Sequence, residues 1–311
     1  MPDSIPCPLC AAVDTNTLGP IFHPQPPQVA GIPIDLNGLK FHLRGCSHCA
    51  FQFKYPPIPE EKLLSCYEQA TGDHWEDDPN PHQRRFDDIR KAIEQYASPS
   101  PNHQPRSILD IGCFNGAFLK YLGPNWSHHG IEPSTQAADL AEQRGISILA
   151  PTLEELPKST PPFDVIIALD VIEHLTHPGI FFSTATKFLK PGGILLVLTG
   201  DTASPAWKLH GSRHWYCSLP EHISFYSEAT MLSIADQLNL KSLTHIRLSH
   251  VRTHLDQHIK QIIANLTSAF LYRTRGLGIP PLYRRIKNSP APGWLTARDH
   301  MLHILQKLPH K

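Results

Sequence analysis

The chain is 311 residues long, enough for one sizeable core and a small accessory domain. Lys plus Arg and Asp plus Glu both total 28, a balance that argues against a nucleic-acid binder or an acidic tail. No run approaches the roughly 18 apolar residues that span a bilayer. The opening Met-Pro-Asp-Ser-Ile-Pro-Cys-Pro lacks the basic and apolar regions of a signal peptide, which points to the cytoplasm.

Residues 1–60 are rich in Pro and Gly and poor in helical periodicity. They hold two Cys-x-x-Cys hooks, Cys7/Cys10 and Cys46/Cys49, separated by 35 residues. Each hook brings two thiolates to one metal, and two hooks complete a closed tetrahedral site of the structural kind, for which zinc is the expected ion. The pattern fits a reducing compartment better than a disulfide framework. Cys66, Cys113 and Cys217 have no such spacing and read as ordinary thiols. Residues 61–105 read as linker and helix, with Phe86, Ile89, Ile93 and Tyr96 at helical spacing until Pro99, Pro101 and Pro105 end it.

From residue 106 onward strands and helices alternate. The predicted strands are Ser107–Ile111, His128–Glu132, Ser147–Leu149, Phe163–Leu169 and Gly193–Thr199. Helices are expected around 115–122, 134–144 and 178–189, and the Lys190-Pro-Gly-Gly turn launches the last of these strands. The alternation implies an α/β, Rossmann-like, mostly parallel sheet with helices on both faces. Ser227 is placed to cap a helix over 227–238, and a strand near 242–248 follows. An amphipathic segment then carries Val251, Leu255, Ile259, Ile262, Leu266 and Phe270, within a helical insertion over about 249–297. His300–Leu305 reads as a strand returning to the sheet.

The charge balance hides an asymmetry. From Lys241 to the end, 12 Lys/Arg face two acids, Asp256 and Asp299, a local charge of +10 that residues 1–240 offset with −10. Solvated helix faces are the plain explanation. An anionic substrate or surface is the sharper one.

The most informative stretch is Ser107-Ile-Leu-Asp-Ile-Gly-Cys-Phe-Asn-Gly-Ala-Phe-Leu119. An apolar strand ends in a glycine turn that opens a helix, so backbone amides can approach a ligand closely. Glu132, at the end of the second strand and 22 residues after Asp110, is placed to accept hydrogen bonds from ribose hydroxyls. Downstream come Phe163-Asp-Val-Ile-Ile-Ala-Leu-Asp-Val-Ile-Glu-His-Leu175 and Phe188-Leu-Lys-Pro-Gly-Gly-Ile-Leu-Leu-Val-Leu198, then Pro220-Glu-His-Ile-Ser-Phe-Tyr-Ser227.

As an ordered set these segments resemble the class I S-adenosylmethionine-dependent methyltransferases, in the branch that holds ubiquinone-biosynthesis O-methyltransferases and many sugar methyltransferases. The paired cysteines, Phe51-Gln-Phe-Lys-Tyr-Pro-Pro57 and the helix from Glu60 to Tyr67 resemble the zinc-ribbon module of that branch. The resemblance implies a seven-stranded sheet plus a small zinc ribbon. It implies that Asp110, Gly112 and Cys113 border the methionine part of S-adenosylmethionine and that Gly116 permits close packing at the helix start. Glu132 would bind the ribose, Pro133 and Leu153 would flank the adenine, and Asp170 would lie at the cofactor's edge. Two departures stand out. Phe114 replaces the middle glycine, so the loop is expected to turn without positive φ there. Pro151-Thr152-Leu153 stands where the family often has an acid.

The implied reaction displaces a methyl group from a sulfonium, so alignment is the protein's main task. His174 and His222 follow carboxyl ends of strands and are the candidate bases. Trp215 and Tyr216 shape an acceptor pocket in this reading. Tyr272, Tyr283 and Trp294, on the basic insertion, would hold a small-molecule or glycan-type acceptor, nucleotide- or lipid-linked, and the same surface is the one that would touch a membrane. An RNA methyltransferase is the nearest rival, yet residues 1–60 hold only Lys40, Arg44 and Lys54 as bases. A non-catalytic cofactor-binding scaffold is the third reading.

Overall fold

The computed structural model describes residues 5–24, 26–36, 38–69, 79–98, 104–249 and 254–309. In chain order, the amino-terminal part holds β1 (Thr15–Pro20), β2 (Gln28–Val29), β3 (Ile32–Pro33), β4 (His42–Cys46) and β5 (Gln52–Tyr55). Two helices follow, α1 (Glu60–Gln69) and α2 (Pro79–Tyr96). The alternating region is β6 (Arg106–Ile111), α3 (Ala117–Leu122), β7 (Trp126–Ile131), α4 (Thr135–Gln143), β8 (Ser147–Ala150), β9 (Phe163–Leu169), α5 (Pro178–Lys187) and β10 (Leu189–Gly200). The carboxyl-terminal part adds α6 (Pro205–His210), α7 (Trp215–Ser218), β11 (Ser224–Phe225), α8 (Glu228–Gln237), β12 (Leu240–Leu248), α9 (Leu255–Arg273), α10 (Pro280–Lys287) and β13 (His300–Lys307).

Seven strands form one sheet in the order β12-β13-β10-β9-β6-β7-β8, with β13 antiparallel to both neighbours and β10, β9, β6, β7 and β8 mutually parallel. Alternate residues of the central strands enter opposite apolar layers, as the two-residue side-chain period demands. Leu109, Ile166, Leu195 and Val197 face one layer with Phe181 and Phe182 of α5 and Met231 and Ile234 of α8. Ile108, Val165, Ile167 and Leu196 face the other with α2 and α3. Both faces are therefore buried, which is why these strands read as near-continuous hydrophobic runs.

Local chemistry explains the boundaries. Ser227 accepts from Thr230 N while its own N–H is bonded to the Thr230 hydroxyl, a reciprocal cap that starts α8. The Lys190–Gly193 turn lies inside β10 as a bulge between the Leu189–Phe163 and Ile194–Val165 pairs. A Cβ on Gly193 would meet the Lys190 and Asp164 carbonyl oxygens at 2.9 and 3.0 Å, so only glycine fits there.

The segment over 61–105 is more than a tether: Ile89, Ala92, Ile93 and Ala97 on α2 and after it are buried in the core. The amino-terminal module is likewise sewn in. Its antiparallel sheet has the order β1-β4-β5-β11, and the last strand comes from residues after β10. Phe51 and Phe53 join the layer that holds Leu109 and Leu195.

The insertion between β12 and β13 forms α9 and α10. Val251 lies outside the described residues. Most of the remaining amphipathic stripe points away from the body: Leu255, Ile259, Leu266 and Phe270 are exposed and Ile262 is half-buried, while Asn265 and Ala269 are buried. No helix among the described residues is long and apolar enough to cross a membrane.

Candidate active site

The turn after β6 carries three left-handed residues, Gly112 (φ 72°), Phe114 (φ 47°) and Gly116 (φ 72°). Phe114 therefore adopts the positive φ that the sequence reading denied it. The reason is tertiary: its N–H donates to Glu132 Oε2 at 2.8 Å, and this charge-assisted bond offsets a steric cost of ~1 kcal/mol. The glycines are forced by proximity as well as φ. A Cβ at Gly112 would meet Val171 Cγ2, and one at Gly116 would meet Ile146 Cγ1, each at 2.7 Å.

Glu132 directly follows β7 and also accepts from Ser134 N at 2.9 Å through Oε1, so both carboxylate oxygens are aimed by backbone amides. Burial pushes its carboxyl up, and those two amides partly restore it. Asp110 is buried at the end of β6, and its Oδ1 has no hydrogen-bond partner among the described residues. Burial and the nearby Glu132 hold its carboxyl well above the usual range. An orphaned buried acid beside a second acid is a site that favours a ligand carrying donors and positive charge. S-adenosylmethionine, with ribose hydroxyls, an ammonium and a sulfonium, fits that requirement.

Glu132 N donates to Ala150 O, so the loops bearing Pro133 and Leu153 run side by side. Leu153 is buried, and Thr152 donates to Glu155 rather than into the site. The side chain of Cys113 packs beneath β7, where a Cβ on Gly130 would meet its sulfur at 2.5 Å. Its N–H is taken by Ile131 O. Asp170, left-handed at φ 54°, forms an ion pair with Arg85 of α2. Sequence reasoning overlooked Arg85. The apolar period of α2 showed that the helix packs but not that Arg85, next to Phe86, reaches Asp170 after β9.

The loop after β9 brings the candidate bases together. The rings of His174 and His222 lie 4.9 Å apart, and those of His222 and Tyr216 lie 3.9 Å apart. His174 Nδ1 is 2.8 Å from Tyr67 Oη and 3.2 Å from the Glu221 carbonyl. His222 Nδ1 is 3.2 Å from the Tyr216 carbonyl. Burial lowers both imidazoles, His222 well below its ordinary value, so they are neutral near pH 7.

Beneath them Glu173 is fully committed, accepting from Tyr216 Oη at 2.6 Å and Thr199 Oγ1 at 2.8 Å. Burial and the nearby Asp170 raise its carboxyl to about 7. One atom each from Glu173, His174 and His222 lies within 4.8 Å of the others. Both Glu173 oxygens accept from hydroxyls and both Nδ1 atoms contact backbone carbonyls, which orients the two rings and leaves their Nε2 atoms open. Glu173 and Tyr67 escaped assignment from sequence, although Glu173 stands inside the Asp-Val-Ile-Glu-His run that flags the loop.

The four hook cysteines converge at one site of the ribbon, against the apolar layer that holds Leu109 and Phe181. Cys7 and Cys49 Sγ are 3.7 Å apart, as are Cys10 and Cys46 Sγ, and all four sulfurs lie within 4.8 Å of one another. Tetrahedral Zn–S bonds of ~2.3 Å give sulfur separations of ~3.8 Å, so the donor set fits zinc. The two hooks are built alike. Ala11 N donates to Cys7 O and Ala50 N to Cys46 O, and both alanines are left-handed. The close Cys7–Cys49 contact lowers the Cys7 thiol and raises that of Cys49, as two sulfurs competing for one proton must. Cys66, Cys113 and Cys217 are buried, free and outside the cluster.

The ribbon is tied to the acceptor side by a buried lysine. Lys54 Nζ donates to the carbonyls of Leu219 and Pro220 at 2.8 and 3.2 Å, and Lys54 N donates to Ile223 O. Ile223 N in turn donates to Glu173 O, so β5, the His222 loop and the Glu173 loop form one hydrogen-bonded stack.

The sheet order, the glycine turn and the acid that orders it define a class I, S-adenosylmethionine-type methyltransferase fold with a ribbon added at its amino terminus. Residues 82–245, more than half of the chain, match the family model described as a methyltransferase domain, and the chain belongs to that family. It is 37% identical over 101 residues to a ubiquinone biosynthesis O-methyltransferase of Caulobacter vibrioides, covering 30% of this chain and 40% of that one. It is 30% identical over 119 residues to the Rhizobium etli protein of the same name, covering 35% and 48%. The chain thus spans less than half the length of these relatives. Among solved structures, the N-methyltransferase NodS of Bradyrhizobium japonicum, in complex with S-adenosyl-L-homocysteine, is 18% identical with a TM-score of 0.47, covering 80% of this chain and 99% of that one.

Proposed function

We propose that the protein transfers a methyl group from S-adenosylmethionine to a hydroxyl of a small or carbohydrate-like acceptor, nucleotide- or lipid-linked. The observation that carries this reading is the orphaned Asp110 Oδ1 beside amide-aimed Glu132, set next to neutral His174 and His222 at the carboxyl edge of the sheet. When bound, the cofactor supplies a methyl group already activated on sulfonium sulfur. Glu132 binds and orients the ribose, Asp110 and the turn at Gly112 hold the methionine end, and Arg85 on Asp170 closes the edge. In the tautomer with the proton on Nδ1, shared between the Tyr67 Oη and the Glu221 carbonyl as acceptors, His174 keeps its Nε2 lone pair for the acceptor hydroxyl. His222 shapes the wall behind it. Zinc on Cys7, Cys10, Cys46 and Cys49 would hold the ribbon in register and take no part in the transfer.

The ubiquinone-pathway relatives support an oxygen acceptor. An RNA substrate is less well supported, because the ribbon's charges are used internally: Arg44 donates to Thr15 and Thr17, and Lys54 caps carbonyls. Of the three bases in residues 1–60 only Lys40 is left for a phosphate.

Calorimetric titration of S-adenosylmethionine into wild type and Glu132→Ala tests cofactor binding. Loss of charge-assisted ribose bonds should weaken affinity about 10- to 100-fold. Unchanged affinity removes the assignment. Methyl release across phenolic, glycan and RNA pools separates an enzyme from a scaffold. Release only with RNA would overturn the small-acceptor reading.

A further inference from the structure

The α9–α10 arm inverts the usual distribution of residues. Leu255, Ile259, Ile263, Leu266 and Phe270 are all exposed, Leu255 at 72%, Ile263 at 59% and Phe270 at 56%. On a helix these five positions fall within an arc of about 80°. They make one continuous apolar stripe rather than scattered surface residues, and such stripes on soluble proteins mark interaction sites. The turn after α9 extends it. Arg275, Gly276 and Leu277 are successively left-handed, and Leu277 and Ile279 protrude at the tip with exposures of 61% and 52%. Non-glycine residues in that conformation cost energy, and here they hold apolar side chains in water.

The adjoining face of α9 anchors the arm. Asn265 and Ala269 are buried, Gln261 Oε1 accepts from Thr296 N and Oγ1 at 3.1 and 3.0 Å, and the Arg213 guanidinium lies 4.3 Å from the Tyr272 ring. Rotation of the helix to hide the stripe would break these contacts.

The charge around the stripe is one-sided. Arg273, Arg275, Arg284, Arg285 and Lys287 are all exposed, and the only acid between residues 255 and 287, Asp256, faces Lys260 at 3.4 Å. A second copy docked two-fold on this arm would gather two sets of the same five bases in one interface, with Asp256, already facing Lys260, as the only acid in residues 255–287 of either copy to offset them. An apolar stripe beside a cationic border is instead complementary to a bilayer with an anionic headgroup layer, apolar side chains entering the acyl boundary and bases remaining among the headgroups.

We propose that α9 and α10 dock the protein on an anionic lipid surface. This goes beyond methyl transfer and does not depend on it. Arg213, which accepts the Ala291 N–H on its carbonyl and carries Tyr272, directly precedes His214–Tyr216, so the docked arm adjoins the acceptor wall.

The test is sedimentation of the full chain with vesicles of phosphatidylcholine alone and of phosphatidylcholine with 30% phosphatidylglycerol, at low and high salt. Binding should appear on the anionic vesicles and weaken with salt. Ile263→Glu/Phe270→Glu and Arg284→Glu/Arg285→Glu should each lower it about tenfold or more, with circular dichroism and S-adenosylmethionine affinity as in the wild type. No binding to anionic vesicles, or binding that neither variant alters, overturns the proposal. So does a dimer, seen by sedimentation equilibrium without lipid, that Ile263→Glu/Phe270→Glu dissolves.

Discussion

The ribbon and the α9–α10 arm are both additions to the same sheet, and they treat charge in opposite ways. The ribbon buries Arg44 and Lys54 and satisfies each with oxygen acceptors. The arm exposes Leu255, Ile263 and Phe270 and carries exposed bases beyond their carboxyl-terminal end, from Arg273 to Lys287. Buried polar side chains bonded to their own chain's oxygens mark an element built into that chain. Exposed apolar surface with a charged border marks one built for something outside it. Changes in the ribbon should therefore register in the fold, and changes in the arm should not.

The largest expected effect is metal removal. Cys49→Ser should abolish bound zinc in elemental analysis and cost several kcal/mol, given the ~10–16 kcal/mol that structural zinc supplies in isolated fingers. Because β5 pairs with β11, the His222 loop should loosen and methyl transfer should fall. An unchanged melting temperature in a zinc-free variant would break the comparison at its first term.

Lys54→Met should cost about 2–4 kcal/mol by leaving the Leu219 and Pro220 carbonyls unpaired, and should lower kcat with cofactor affinity preserved. Burial lowers the Lys54 ammonium from its usual 10.5 to about 7. The unfolded chain therefore binds more protons between those values, and wild-type stability should rise across that window. The methionine variant should lack this rise in urea titrations at pH 7 and 9. Equal slopes would mean that Lys54 keeps its ordinary protonation.

Glu173 offers a smaller effect of opposite sign. Its folded value of about 7 lies above the usual 4.5, so its stabilising contribution is complete below 4.5 and is lost as pH rises through about 7. Glu173→Gln, which preserves a hydrogen-bonding side chain, should gain stability relative to wild type over that range. A constant difference would show an ionised Glu173 throughout. The smallest effect belongs to the arm: Ile263→Glu/Phe270→Glu should shift stability within about ±0.5 kcal/mol per site, as surface changes do. A loss of several kcal/mol would mean that the stripe is covered by its own chain.

Much of the core was legible in the sequence. Phe163–Leu169 and the run ending at Leu198 are apolar because both sheet faces are covered, and the glycines at 112 and 116 announce a turn at a helix start. The paired cysteine spacing located the sulfur cluster. The amphipathic pattern of α9 was read correctly as a helix, yet pattern alone does not say whether an apolar stripe faces a core or the solvent. Lys54 looked like any surface base, and Arg85 lay on a helix whose period reported only packing.

The sequence by itself determined the elements, their order and the chemistry of the cofactor turn and the cysteine hooks, because backbone preference, side-chain period and ligand spacing are local properties. Tertiary structure decided the rest. It set Phe114 left-handed through Glu132, sealed the His222 loop with a lysine from the ribbon, and left the α9 stripe in water. Each depends on which distant groups meet, and burial, pKa and strain follow from that meeting rather than from the residues alone.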